Sequence, residues 1–166
     1  MADAALLALS AKLGHALTAR RWKLALAESC TGGWVAQVVT AIPGSSNWFD
    51  RGFVTYSNES KQEMLGVSLK TLHTYGAVSM ETALEMALGS LKHSHANITA
   101  AITGIAGPDG GSSEKPVGMV CFAWTDSDGV SESASLRFDG DREAIRYQSV
   151  KTALEGLLQL TLSTDL

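Results

Sequence analysis

Apolar residues at Leu6, Leu9, Leu13, Ala16 and Leu17 fall on one side of a helical wheel, so residues 3 to 20 read as an amphipathic helix. The next apolar run, "KLALAE" (23–28), is too short for a helix and reads as a strand. "SCTGG" then makes a turn, and "WVAQVVTAI" a helix ended by Pro43-Gly44. "GFVTYS" is a second strand, rich in β-formers, and "NESKQEMLG" a short helix closed by Gly66. Ser79 is an N-cap for "METALEMALGSLKHS", with Glu81 where the helix dipole favours an acid. "ANITAAITG" is a third strand, apolar enough to be central. After a long Gly/Pro/Ser loop, "MVCFAWT" and "VSESASLRF" form a hairpin around "DSDG". A last helix starts near "GDREA" and runs to about Leu162.

Helices and strands that alternate, then a hairpin, then a helix predict an α/β fold. The expectation is one domain over residues 1–166: three α/β/α layers around a mixed, mainly parallel sheet of about five strands. No repeat or linker divides the chain.

Composition narrows the function. With 45% hydrophobic and 18% charged residues, the 166-residue chain can bury a real core. A net charge of −4 without a basic block disfavours a nucleic-acid surface. No run is long enough to span a membrane, and Lys12, His15 and Arg20 interrupt the N-terminal apolar pattern, which is not that of a signal peptide. Cys30 and Cys121 have neither metal-site nor disulfide spacing, which suits a reduced, cytoplasmic setting.

In open α/β sheets ligands gather at the carboxyl ends of the parallel strands. There the first strand delivers Glu28, Ser29, Cys30, Thr31, Gly32 and Gly33; the second delivers Tyr56, Ser57, Asn58 and Lys61; the third delivers Thr103, Gly104 and the 105–118 loop. "ESCTGG" reads either as an anion cradle of backbone amides or as an ordinary N-cap turn. The Gly-rich loop lacks the spacing of a dinucleotide fingerprint and reads as a lid or ligand-contacting segment, against a plain surface connection. Ser45 and Ser46 follow the Pro-Gly turn; a helix cap is the ordinary role, a nucleophile the functional one. The four histidines lie in predicted helices or at their edges without an evident acid partner, so the base on offer is Lys61, with Tyr56 beside it. A lysine serves as a base only if burial or a neighbouring cation lowers its pKa. Cys30 is an alternative nucleophile, although a free cysteine is more often simply buried. His93 and His95 face different sides of their helix and are set aside as metal ligands. Arg142 or Arg146, at the start of the last helix, suits a phosphate or carboxylate.

Taken together and in order, "AESCTGGWVA", "PGSSNWFDRGFVTYSNESK", "GAVS", "TGIAGPDGGSSEKPVG" and "FDGDR" resemble the CinA C-terminal domain family, and within it the stand-alone nicotinamide-nucleotide amidases. The resemblance runs from about Leu24 to Arg146. It implies hydrolysis of the carboxamide of nicotinamide mononucleotide to nicotinic acid mononucleotide and ammonia, in pyridine-nucleotide recycling. It implies Ser46 as nucleophile, Tyr56 and Lys61 as its activating pair, and no metal or cofactor. Glu28, Ser29, Thr31, Gly32, Gly33, Thr103, Gly104, Gly107 and Arg142 are implied to bind substrate, with Arg146 the fallback for Arg142. Exposed apolar helix faces and the family resemblance together suggest a homo-oligomer. The alternatives are a non-catalytic nucleotide-binding protein of the same family and a cysteine amidase using Cys30.

Overall fold

The computed structural model describes residues 3–163. Asp3 caps α1 (Ala4–Arg20) by accepting from the amides of Ala5 and Leu6. β1 (Leu24–Glu28) follows, then α2 (Trp34–Thr40), a single 3₁₀ turn over Ser45–Asn47, and β2 (Phe49–Val54). α3 (Asn58–Leu65) has Ser57 as its cap and ends on Gly66 in the left-handed conformation. α4 (Leu69–Tyr75) and α5 (Met80–Lys92) lead to β3 (Ile98–Gly104), β4 (Met119–Asp126), β5 (Ser131–Arg137) and α6 (Arg142–Ser163). Ser79 caps α5 through the Thr82 amide, and Asp141 Oδ1 accepts from the Ala144 amide at the start of α6.

The five strands form one mixed sheet in the order β2-β1-β3-β4-β5. β2, β1 and β3 are parallel, while β3–β4 and β4–β5 are antiparallel. β1 lies centrally among the parallel strands and β3 is flanked on both sides, so both are buried along almost their whole length.

The two faces are built from side chains of different size. One carries Leu24, Leu26, Ile98, Ile102, Phe122 and Trp124 toward α1, α2 and α6. The other carries Ala27, Ala101, Cys121 and Ala123 toward α5. Small residues on that second face let α5 pack close to the sheet, and Gly89 then lies so near the end of α3 that any Cβ would collide with the Leu65 backbone. α3 is thereby fixed over the carboxyl end of β1.

Two sequence expectations move. β2 begins and ends three residues earlier than the strand read from "GFVTYS", so Tyr56 lies beyond it. α4 was not anticipated: it is a seven-residue helix between Ser68, its cap, and Gly76.

Candidate active site

β1 and β2 end side by side: the Ser29 amide donates to Ile102 O and the Thr55 amide to Glu28 O. The chain after β1 turns sharply at Gly32 and Gly33 (φ +59° and +99°), values at which any side chain would be strained. Ser29 therefore stands at a strand–turn–helix corner, the kind of bend that presents a side chain at the top of a sheet. It is 7% exposed.

Lys61 reaches this point from the first turn of α3, and it is 1% exposed. Its Nζ lies 3.1 Å from Ser29 Oγ, 2.8 Å from Thr55 O and 3.4 Å from Tyr56 O. None of its contacts is a carboxylate, and no ion pair involves it among the described residues. Burial without a counter-ion pushes its pKa below the 10.5 of an ordinary lysine. Cys30 pulls the other way only as a thiolate, and burial pushes that thiol up to about 12, so at neutral pH the pull is absent. Of the three acceptors around Nζ, two are carbonyls that can only accept. A neutral amine can give them its two N–H groups and turn its lone pair to the one partner that can donate, Ser29 Oγ–H.

A cavity of about 300 Å³ opens over this pair. Ser29, Cys30 and Lys61 line it with Tyr56, Thr103, Gly104, Gly107 and Arg142. Thr103 Oγ1 donates to Ala77 O, tying β3 to the segment before α5. Gly104 and Gly107 are close-approach positions: a Cβ on either would stand 2.7 or 2.5 Å from Val120 or Val117. Arg142 Nη1 donates to Gly107 O at 2.8 Å and Nη2 to the Tyr56 hydroxyl at 3.2 Å, so the arginine spans from the Gly-rich loop to the tyrosine. Arg142 also borders a second, adjoining hollow of about 560 Å³ with Gly32, Gly33 and Arg146.

Four expectations change on this geometry. Ser46 is exposed on the 3₁₀ turn ahead of β2, level with Leu24 at the amino end of β1. The Lys61 amine lies at the carboxyl end, and six residues of β2, about 20 Å of extended chain, separate the two within the subunit. The hydroxyl that meets the amine is Ser29's. Tyr56 meets Lys61 through its backbone carbonyl; the residue is 62% exposed and its hydroxyl pairs with Arg142. Glu28 does not line the cavity over Ser29 and Lys61: its carboxylate accepts from Thr31 Oγ1, Val35 N and Ala36 N at 2.7, 2.9 and 3.0 Å. It fills the anion cradle that "ESCTGG" suggested, and it engages the Thr31 hydroxyl. Arg146 takes a structural partner on each side, the carbonyls of Cys30 and Thr31, which leaves Arg142 as the arginine of the cavity. Sequence reasoning had placed Ser29 at the strand end as a binding residue; its closeness to Lys61 follows from α3 folding back, which no local spacing reveals. No group of three or more His, Cys, Asp or Glu comes together among the described residues, and no described helix is long and apolar enough to cross a membrane.

Comparison with known proteins gives the site its context. The CinA C-terminal domain matches residues 6–161. Nicotinamide-nucleotide amidohydrolase PncC of Escherichia coli K12 is 53% identical over 159 residues, 96% of each chain. The PncC of Pseudomonas putida is 49% identical over 92% of this chain and 94% of its own. A CinA-like protein of Syntrophobacter fumaroxidans is 48% identical, but the matched part is 33% of its length. Among solved structures, the competence/damage inducible protein CihA of Agrobacterium tumefaciens superposes with a TM-score of 0.94 at 46% identity, covering 96% of this chain and 98% of that one.

Proposed function

Since the chain belongs to the CinA C-terminal domain family, we propose that it is a nicotinamide-nucleotide amidohydrolase in which Ser29 is the nucleophile and Lys61 its base. The observation that carries the assignment is the buried amine, without an ion-pair partner among the described residues, 3.1 Å from a serine hydroxyl at the carboxyl end of the parallel strands. The relatives named for this activity match along almost the full length of both chains, which supports the substrate.

Lys61 Nζ takes the Ser29 proton as Oγ adds to the carboxamide carbon, and the carbonyl electron pair moves onto oxygen. Collapse re-forms the carbonyl and breaks the C–N bond, and the lysine-held proton leaves with nitrogen as ammonia. A water, deprotonated by the now neutral Lys61, adds to the ester. Ser29 departs with that proton, and nicotinic acid mononucleotide is released. Each half-reaction returns the proton it borrows, so one base serves both.

Arg142 is the exposed cation at the cavity mouth, placed to hold the substrate's phosphate in exchange for its contacts to Tyr56 and Gly107. Arg142→Met is expected to raise KM for nicotinamide mononucleotide about tenfold or more while leaving kcat within a fewfold, because a remote phosphate contact made equally in ground and transition states affects binding alone. Turnover of the free nicotinamide base, which has no phosphate, should change little in the same variant. Ser46→Ala is expected to keep kcat/KM within about twofold of wild type, as befits an exposed surface hydroxyl. An ammonia-release assay with nicotinamide mononucleotide tests the whole reading; a protein that binds the nucleotide in calorimetry yet releases no ammonia would be the non-catalytic alternative.

A further inference from the structure

Arg146 lies one helical turn beyond Arg142 on α6, yet its guanidinium faces a different target. Nε donates to Cys30 O at 3.0 Å and Nη2 to Thr31 O at 3.1 Å, with the Trp34 ring 5.5 Å from the guanidinium carbon. From the opposite side, the buried Glu28 carboxylate holds Thr31 Oγ1 and the amides of Val35 and Ala36. The turn that follows Ser29 is thus clamped by a cation on its carbonyls and by an anion on its Thr31 hydroxyl and on the amides of Val35 and Ala36 in α2.

The clamp has a directional consequence. In a planar trans peptide the C=O and the next residue's N–H point opposite ways. Aiming Cys30 O at Arg146 therefore turns the Thr31 N–H away from Arg146. The carbonyl of Ser29 is likewise fixed, by the Gly32 amide at 3.0 Å, which sets the direction of the Cys30 N–H. The Thr31 amide donates no hydrogen bond among the described residues, although Thr31 is wholly buried. A buried amide without an acceptor is costly unless something later fills it.

We infer that Arg146 is a positioning residue: by holding Cys30 O it orients the Thr31 amide, beside the Cys30 amide set by the Ser29–Gly32 bond, to donate to the oxyanion formed when Ser29 Oγ adds to the carboxamide carbon. The inference rests on Ser29 as nucleophile. Donors fixed before the reaction stabilise charge that exists only in the transition state, so their loss lowers kcat and spares KM.

The test measures ammonia release from nicotinamide mononucleotide, with melting temperature, for Arg146→Ala. The expected result is a kcat about 100-fold lower, KM within about threefold, and an unmoved pH midpoint of kcat/KM, because Lys61 is untouched. Added guanidinium at millimolar concentration should restore part of kcat. A raised KM with wild-type kcat would make Arg146 a substrate ligand and overturn the inference. So would a lowered melting temperature with wild-type kcat per folded molecule, which marks a purely structural prop. If Arg146→Ala does not fold, Arg146→Lys carries the test: a point charge cannot meet two carbonyls as a fork does, so kcat should fall at least about tenfold, and a wild-type kcat overturns the proposal. A wild-type protein that releases no ammonia defeats the amidase reading itself, whereas a fully active Arg146→Ala beside an active wild type defeats only the role of Arg146.

Discussion

Lys61→Met is expected to yield a protein that melts at a higher temperature than wild type and releases ammonia at least roughly 10³-fold more slowly. Both effects come from one circumstance. Lys61 is 1% exposed and its amine hydrogen-bonds a hydroxyl and two carbonyls, with no anion among the described residues paired to its charge. Methionine fills a similar volume and has nothing to desolvate. Each 1 kcal/mol recovered is worth roughly 2–4 °C in a domain of this size, so a shift of several degrees is the expected reading in a thermal scan. The pH dependence follows with a definite sign. Burial sets the folded pKa of Lys61 below the unfolded value of 10.5. Between the two values the unfolded chain binds the extra proton, so wild-type stability should climb as pH rises through that window, and below the folded pKa the cost of protonating a buried amine is present in full. The methionine variant should lose this climb. Activity shares the same titration: kcat/KM of wild type should rise with pH along a limb whose midpoint lies below 10.5. A methionine variant that melted lower and lost no activity would remove Lys61 from the chemistry.

Ser29→Ala is expected to lower kcat by about 10⁴-fold or more, the scale of removing a nucleophile, with a melting temperature near that of wild type. Ser29 occupies a corner held by backbone bonds: its amide to Ile102 O and its carbonyl to the Gly32 amide. Neither needs the hydroxyl. The alanine variant should still bind nicotinamide mononucleotide in calorimetry, since the cavity walls and Arg142 remain. Activity retained in Ser29→Ala but lost in Cys30→Ala would point to the neighbouring thiol, which burial pushes up to about 12 and so keeps protonated at neutral pH.

Much of the architecture is legible because it is written in local chemistry. Ser79 and Gly66 mark helix ends through capping and a left-handed residue, and "DSDG" marks the hairpin through Asp126, whose Oδ1 accepts from the Asp128 and Val130 amides. The convergence of three strand ends on one cavity was also foreseeable from the rule for open sheets. What was not legible depends on long-range packing. Lysine is so rarely buried that nothing in "NESKQ" announces a 1% exposed amine; only the packing of α3 against α5 puts it there. The three-residue displacement of β2 mattered more than its size suggests. With the strand at Phe49–Val54, Ser46 falls at its amino end, and the serine that a Pro-Gly turn made conspicuous is at the wrong end of the strand. Glu28 misled for a related reason. An acid at a strand end resembles a ligand contact, but the amides of α2 curl back over it, and a buried carboxylate is satisfied by N–H groups of its own chain.

The central claim, that Ser29 is the atom to which substrate becomes attached, is tested most directly by acid-quenching the enzyme during turnover of nicotinamide mononucleotide and mapping the acylated peptide by mass spectrometry. The expected result is the nicotinoyl nucleotide in ester linkage on Ser29. The same adduct on Ser46 or on Cys30 would contradict it.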